Sequence, residues 1–560
     1  MKQPVLSIKD LNISLKKKGE ILPLVRGISF DIFKGETVAL VGESGSGKSI
    51  TARAIMQLLD PKEFTLDGAL VFEKKEGGVY DLLQLNRKEL QSFRGKETAM
   101  IFQEPMTALN PVMTIGRQLT EAILIHQKIT KHQAESIAIS SLEKVLMPSP
   151  NTTMKKFPHE LSGGQKQRVM IAMAMCNEPA LLIADEPTTA LDTITQKEVL
   201  QLLARLQKET GMGLLFITHD MGIVEAIADR VIIMQKGNIV EQGDARQIFV
   251  NPQDAYTKQL LACRPLYYTK GEKIAIEGEA DSVSEINRSL FQSLKESHSE
   301  KNKPILSIKN LSVIYPGKKH FFTKTKPGFE ALKNINLYIN KGETIGIVGE
   351  SGCGKTTLAR TILGFIEPSS GTISFGGKEF SPSGLRNQHQ EIQMVFQDPY
   401  ASLNPRLQIG KAIEEPMRVH GKFQNKKEAH DYVSALLTKV RLSPDYYHRY
   451  PHQLSGGQRQ RIVIARALAL QPDFIIWDES VSALDVSLQA QILNLINELK
   501  QTDQFSSLFI SHDLSVVKYL CDRVYIMQKG MIVEEGDPEI IWQSPKHPYT
   551  RQLLDAIPGR

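Results

Sequence analysis

Two stretches of the chain hold residues suited to gripping a triphosphate. The first is Gly42, Glu43, Ser44, Gly45, Ser46, Gly47, Lys48, Ser49 and Ile50; the second is Gly349, Glu350, Ser351, Gly352, Cys353, Gly354, Lys355, Thr356 and Thr357. Both follow G-x-x-x-x-G-K-[ST]. Its glycines let backbone N–H groups face phosphate, its lysine reaches the β- and γ-phosphates, and its hydroxyl can hold Mg²⁺. Further along, Asp185 with Glu186 closes "LLIADE", and Asp478 with Glu479 closes "FIIWDE". A carboxylate at the end of a buried strand can anchor the Mg²⁺ shell, and a second beside it can polarise an attacking water.

These groups need elements to hold them. "TVALV" and "TIGIV" precede the two Gly-rich loops, and "ITARAIMQLL" and "TLARTILGF" follow. Apolar, β-branched runs read as strands and the following segments as helices, the context a phosphate loop requires. A helix N-terminus adds partial positive charge where the phosphates would sit. "LSGGQ" occurs twice, carrying Ser162, Gly163, Gly164 and Gln165, and Ser455, Gly456, Gly457 and Gln458. A Ser-Gly-Gly turn opening a helix is a second device for meeting phosphate. Its spacing does not reveal which Gly-rich loop it serves.

The pairing of every motif marks a duplication. "LSIKDLNISL" returns as "LSIKNLSVIY", and "MQKGNIVEQGD" as "MQKGMIVEEGD". A repeat of about 300 residues is too long for a solenoid unit, so each copy is a whole domain. The offset is 307 from Lys48 to Lys355 and 294 from Gln103 to Gln397, which places 13 extra residues in the first copy, near "EKKEGGVYDLLQLNRKEL". The second copy has seven more before its Gly-rich loop, in the basic "GKKHFFTKTKPGF", which reads as a solvated loop. The expected boundaries are 1–268 for the first domain, 269–303 for a linker and 304–560 for the second. Within the polar linker, Ser282 and Glu285 resemble a capping box, with Ile286, Leu290 and Leu294 at helical spacing.

Composition sets the outer limits. The 560 residues are 41% apolar with 39 glycines, ordinary for a globular protein. No segment approaches the roughly 18 apolar residues of a membrane span, and the N-terminus has no signal-peptide pattern. A net charge of +6 over this length is too dilute to argue for nucleic acid. Cys176, Cys263, Cys353 and Cys521 form no C-x-x-C pair, and scattered thiols suit a reducing compartment.

Together the phosphate loops, acidic strand ends and LSGGQ segments resemble the ATP-binding cassette (ABC) ATPases over nearly the whole chain. The resemblance implies an α/β fold of two P-loop cassettes in tandem. Each would have a mixed sheet, a helical subdomain carrying LSGGQ and a short C-terminal extension. It implies head-to-tail pairing, each ATP lying between one cassette's phosphate loop and the other's signature. Lys48, Asp185, Glu186 and His219 would then face Ser455, Gly456 and Gly457; Lys355, Asp478, Glu479 and His512 would face Ser162, Gly163 and Gly164. Gln103 in "IFQEP" and Gln397 in "VFQDP" match the family's glutamine loop, which senses γ-phosphate and Mg²⁺. Mg²⁺ ligands by this resemblance are Ser49, Gln103 and Asp185, and Thr356, Gln397 and Asp478. His219 in "ITHD" and His512 in "ISHD" match the switch histidine, while Asp192 and Asp485 match the loop that communicates between sites. Glu186 and Glu479, with these histidines and glutamines, are the expected catalytic residues. Tyr315 fits the aromatic that stacks on adenine, but the aligned residue in the first copy is Leu15.

Finer features are similar to the dipeptide/oligopeptide/nickel importers. These are "FQEPMTALNPVMTIGRQL", "FQDPYASLNPRLQIGKAI" and the tails "NPQDAYTKQLL" and "SPKHPYTRQLL". Fusion of both cassettes resembles the Yej-type importer of peptides and microcin C, and secondarily the fused glutathione importer. The partners implied are two permease subunits and an extracytoplasmic solute-binding protein, with no nucleic acid and one fused chain per transporter. The implied location is peripheral, on the cytoplasmic face of the inner membrane, with permease contacts around 105–116 and 399–410. Many such relatives carry a cysteine-rich iron–sulfur motif in the extension; only Cys263 stands here, so no cluster is expected. DNA-repair cassettes need C-x-x-C pairs or long heptad insertions, both missing. Ribosome-acting tandem cassettes usually have a longer, charged helical linker.

Overall fold

The computed structural model describes residues 3–17, 20–103, 108–189, 191–276, 304–316, 328–380, 384, 388–423, 425–482 and 484–559. They fall into two compact units, one of 1–261 with 558–560 and the other of 262–557.

The first unit opens with an antiparallel sheet. β1 (Pro4–Lys17) pairs with β2 (Glu20–Phe33), and the order is β2-β1-β4-β5 with β4 (Phe64–Glu73) and β5 (Val79–Asp81). The second sheet holds β3 (Thr37–Val41), β6 (Thr98–Ile101), β7 (Leu181–Asp185), β8 (Gly213–Thr218), β9 (Arg230–Gln235) and β10 (Asn238–Asp244). Its order is β10-β9-β3-β8-β7-β6, parallel from β9 to β6, with β10 antiparallel at the edge. Every residue of β3, β7 and β8 is buried. A parallel sheet is covered on both faces, so its strands read as unbroken apolar runs. Helices Ile115–Leu124, Lys131–Lys144 and Gly163–Met175 pack around Leu119, Leu142 and Ile171 to form the helical subdomain.

The second unit repeats this plan. β11 (Pro304–Tyr315), β12 (Phe329–Asn340), β14 (Ser370–Phe375) and β15 (Lys378–Phe380) form the antiparallel sheet, in the order β12-β11-β14-β15. β13 (Thr344–Val348), β16 (Ile392–Val395), β17 (Phe474–Asp478), β18 (Ser506–Ser511), β19 (Arg523–Gln528) and β20 (Met531–Gly536) form the other, ordered β16-β17-β18-β13-β19-β20. Its helical subdomain holds Ile409–Val419, Lys426–Lys439 and Gly456–Leu468.

One sequence expectation shifts. The extra length of the first copy is not confined to the segment after β4. β4 itself runs ten residues against six in β14, and the turn from β4 to β5 is longer than that from β14 to β15. The second compact unit begins at Ala262. Ile274 is fully buried there, its N–H donating to Asn494 Oδ1 at 3.0 Å and its carbonyl accepting from Asn494 Nδ2 at 2.9 Å. Tyr519 Oη donates to the Glu272 carbonyl at 2.7 Å. Side-chain-to-backbone bonds hold this polar stretch, so apolar periodicity gave no sign of it. The linker helix expected around Ser282–Leu294, most of the basic insertion and residues 105–107 lie outside the described residues. Among the described residues no helix is long and apolar enough to cross a membrane.

Candidate functional site

In each unit, four neighbouring parallel strands deliver their C-terminal ends to one corner. In the order β3, β8, β7, β6 these ends carry the Gly-rich loop, His219, Asp185 with Glu186, and Gln103. In the order β13, β18, β17, β16 they carry the second loop, His512, Asp478 with Glu479, and Gln397. The carboxyl edge of a parallel sheet is where open α/β folds bind ligands.

The loops are shaped by glycine where nothing else fits. A Cβ on Gly42 would lie 2.1 Å from the Met234 carbonyl oxygen, and one on Gly349 would lie 2.1 Å from that of Met527. Gly47 and Gly354 cap the helices Lys48–Ile55 and Lys355–Ile362 at φ 108° and 113°, a left-handed conformation that side chains resist. Lys48 is 5% exposed and donates to the carbonyls of Gly42 at 2.6 Å and Glu43 at 2.8 Å. Lys355 does the same to Gly349 at 2.7 Å and Glu350 at 2.9 Å. Each ammonium is thereby held inside the curl of its loop, where it would meet phosphate oxygens.

The acidic pair splits into two roles. Asp185 ends β7, buried, and accepts from Ser49 Oγ at 3.0 Å; Asp478 accepts from Thr356 Oγ1 at 3.4 Å. Burial, with the neighbouring glutamate adding to it, raises both aspartates, Asp478 to about 6. Glu186 and Glu479 stand at φ 47° and 46°, a left-handed backbone that costs a non-glycine residue roughly 1–2 kcal/mol. Glu186 Oε1 lies 3.1 Å from His219 Nδ1, and its Oε2 accepts from Gln103 Nε2 at 2.8 Å and Thr189 Oγ1 at 2.9 Å. Burial alone would raise the Glu186 carboxyl. The hydrogen bond and charge of His219, then Thr189 and Lys48, outweigh it and bring it down to about 2. Burial opposes the His219 cation, but Glu186 raises it. The contact therefore favours the charged form of each group, the carboxylate of Glu186 and the imidazolium of His219. Glu479 accepts from Gln397 Nε2 at 2.9 Å, with His512 Nδ1 and Lys355 Nζ both at 3.8 Å. Burial pushes it up, but His512 and Lys355 hold it below the ordinary carboxylate range.

The sequence singled out all of these residues except Thr189. Its spacing three residues after Glu186, on the turn leaving the strand, was the available signal. Ser162 and Ser455 take another place in the fold, as N-caps of Gly163–Met175 and Gly456–Leu468, with Gln165 and Gln458 completing reciprocal capping boxes. Ser162, Gly163 and Ser455 are exposed, so the signature presents a helix N-terminus outward. Asp192 and Asp485 cap Thr193–Thr210 and Val486–Asp503. Tyr315 ends β11, 39% exposed, with its hydroxyl 3.5 Å from Thr357 Oγ1. In the first unit Leu15 pairs across the strand with Leu22, where Tyr315 pairs with Phe329.

The sequence matches the ABC transporter family over residues 25–189 and 332–482, and the oligopeptide/dipeptide transporter C-terminal region over 240–289 and 533–559. The glutathione import ATP-binding protein GsiA of Pectobacterium atrosepticum is 42% identical over 561 residues, 99% of this chain and 89% of that protein. GsiA of Escherichia coli K12 is 44% identical over 566 residues, with the same shares. The duplicated phosphate loop, strand-end acids and capped signature helix accord with both matches: the chain belongs to the ABC transporter family, as a tandem-cassette ATP-binding subunit of the oligopeptide/dipeptide importer type.

Proposed function

We propose that this ATPase powers uptake of short peptides across a cytoplasmic membrane through two permease subunits fed by a solute-binding protein. The observation that carries this reading is the oligopeptide/dipeptide C-terminal region, which follows both cassettes. Its two cassettes close head to tail on ATP. Ser455, Gly456, Gly457 and Gln458 meet the nucleotide held by Lys48; Ser162, Gly163, Gly164 and Gln165 meet the one held by Lys355. The outward helix N-terminus of each signature suits that task. Closure pulls on the permeases through residues around 105–116 and 399–410, next to the glutamines that touch the catalytic glutamates.

Ser49 with Asp185, and Thr356 with Asp478, set hydroxyl and carboxylate oxygens side by side, the hard donors that Mg²⁺ takes. With Gln103 and Gln397 they would hold the ion, which there neutralises β- and γ-phosphate charge. Glu186 and Glu479 accept the proton of the attacking water. His219 and His512 orient those carboxylates and contact the γ-phosphate. Lys48 and Lys355 draw charge from the phosphates.

Two cargo classes divide the reading. The Yej-type resemblance favours longer peptides. The relatives named for glutathione import favour a small thiol tripeptide. Pull-down of the full chain from gently solubilised native membranes, followed by mass spectrometry, tests both. Two polytopic subunits and a binding protein are expected, and the ligand carried by that binding protein assigns the cargo. Ribosomal proteins without membrane subunits would overturn the transport reading.

A further inference from the structure

The C-terminal region of each cassette returns to its own phosphate loop through one buried phenol. Tyr256 lies on the helix Ala255–Ala262 and is 4% exposed; its oxygen accepts the N–H of Glu43 at 3.0 Å. Tyr549, on Pro548–Asp555 and 3% exposed, accepts the N–H of Glu350 at 2.9 Å. The same residues serve the loop lysines. The carbonyl of Glu43 accepts from Lys48 and that of Glu350 from Lys355. Each phenol thus holds one side of the residue whose other side orients the ammonium.

The phenols are themselves anchored. Glu241 on β10 accepts the N–H groups of Gln253 at 2.8 Å and Asp254 at 3.1 Å, and Asp254 Oδ1 accepts that of Tyr256 at 2.8 Å. Glu534 on β20 accepts from the N–H groups of Lys546 at 2.8 Å and His547 at 3.0 Å, and His547 Nδ1 accepts that of Tyr549 at 3.2 Å. The chain from edge strand to loop to helix to phenol to phosphate loop is built twice. Both phenols fall within the two stretches matching the oligopeptide/dipeptide C-terminal region.

We infer that Tyr256 and Tyr549 are positioning residues for ATP, through which the C-terminal region of each cassette fixes the shape of the phosphate loop. This inference needs only ATP binding at the loops and is independent of the cargo. A phenylalanine at either position keeps the ring packing and removes the acceptor. Losing one hydrogen bond at the loop should weaken nucleotide binding about three- to ten-fold.

The test uses the full-length chain with Y256F, Y549F and both together. Affinity for the non-hydrolysable analogue AMP-PNP with Mg²⁺ is measured by calorimetry, and the melting temperature without nucleotide is recorded. The double variant should bind about three- to ten-fold more weakly, with the melting temperature held within about 3 °C. Each single variant should give a two-phase titration in which one site alone is weakened. Steady-state ATPase should show KM raised with kcat nearly kept, the mark of lost ground-state binding. Unchanged affinity in the double variant would overturn the inference, as would a loss of affinity accompanied by a larger fall in melting temperature, which marks a structural role only.

Discussion

Glu186 and Glu479 occupy the same corner of the two cassettes and share a strained backbone, yet they are held differently. The first is gripped by His219 at 3.1 Å and the hydroxyl of Thr189. The second has His512 at 3.8 Å and Lys355 at an equal distance, and Ser482, in the position of Thr189, donates instead to the Glu479 carbonyl. One glutamate is locked to its histidine; the other is shared between histidine and loop lysine. Duplication preserved the backbone that presents the carboxylate and let its side-chain partners diverge. Both acids are present, so both sites are expected to hydrolyse ATP, with different dependence on the neighbouring histidine.

The strongest way to break this comparison removes the carboxylates. E186Q and E479Q should each slow hydrolysis at one site by about 100-fold or more and leave ATP trapped there, the usual scale for losing a general base. Single-turnover assays with radiolabelled ATP would read this directly, and a double variant that hydrolyses at the normal rate would remove these residues from catalysis. H219A should then disturb its glutamate more than H512A does, because His219 Nδ1 lies 3.1 Å from Glu186 and His512 Nδ1 lies 3.8 Å from Glu479.

A second contrast lies at the segment after the first cassette. Asn494 and Tyr519 clasp residues 272–274 in the second unit. The corresponding residues of the first cassette are Gln201 and Ala226, which cannot form the same clasp. N494A should strand the buried amide groups of Ile274 at a cost of about 1–3 kcal/mol. Hydrogen exchange over residues 270–276 should accelerate, and Q201A should leave stability nearly unchanged. Equal effects of the two variants would mean the clasp contributes nothing.

A third contrast concerns the nucleotide base. Tyr315 and Phe329 offer aromatic faces at the end of β11, where Leu15 and Leu22 stand at the end of β1. An aromatic stack contributes about 0.5–1.5 kcal/mol beyond burial, or roughly two- to twelve-fold in affinity. Y315L should erase preference for ATP over GTP at the second loop, and L15Y should create it at the first. Equal base selectivity at both wild-type sites would sink the idea.

The residues proposed to meet phosphate stood out in the sequence because their chemistry forces a spacing. A loop that must curl its N–H groups inward needs glycine at set intervals, and a buried parallel strand needs an unbroken apolar run ending in its acid. The leucine in the place of Tyr315 was legible too, since "LSIKDLNISL" and "LSIKNLSVIY" align without a gap, and the strand register agrees at Ile13 and Val313. Strand order leaves no such mark, because an apolar run shows that a strand is buried and not which neighbours bury it. That β8 lies between β3 and β7, setting His219 beside Glu186, is a property of the sheet. Contacts between side chain and backbone left still less trace. Neither the hold of Asn494 on Ile274 nor that of Tyr256 on Glu43 alters an apolar period, and their partners are 220 and 213 residues apart.

The smallest contrast is electrostatic. Asp229 and Asp522 play one backbone role, accepting the N–H groups of Thr37 and Thr344, each at 2.8 Å. Asp522 also pairs with Lys500 at 2.9 Å and with Lys270 from the docked segment, whereas Gln207 stands in the position of Lys500 in the first cassette. Burial would raise the Asp522 carboxyl, but Lys500 and then Lys270 outweigh it and bring it down to about 2. A carboxyl depressed in the folded state stabilises above its unfolded value of about 3.9, and that contribution is lost as pH falls toward 2. The side chain is 36% exposed, so solvent screens much of the pairing. D522N should therefore cost about 1 kcal/mol at pH 7, and D229N less. Urea unfolding should show the gap between the two variants narrowing from pH 5 to pH 3. A gap that does not change with pH would assign the difference to packing, and charge would then play no part in how the two cassettes diverged.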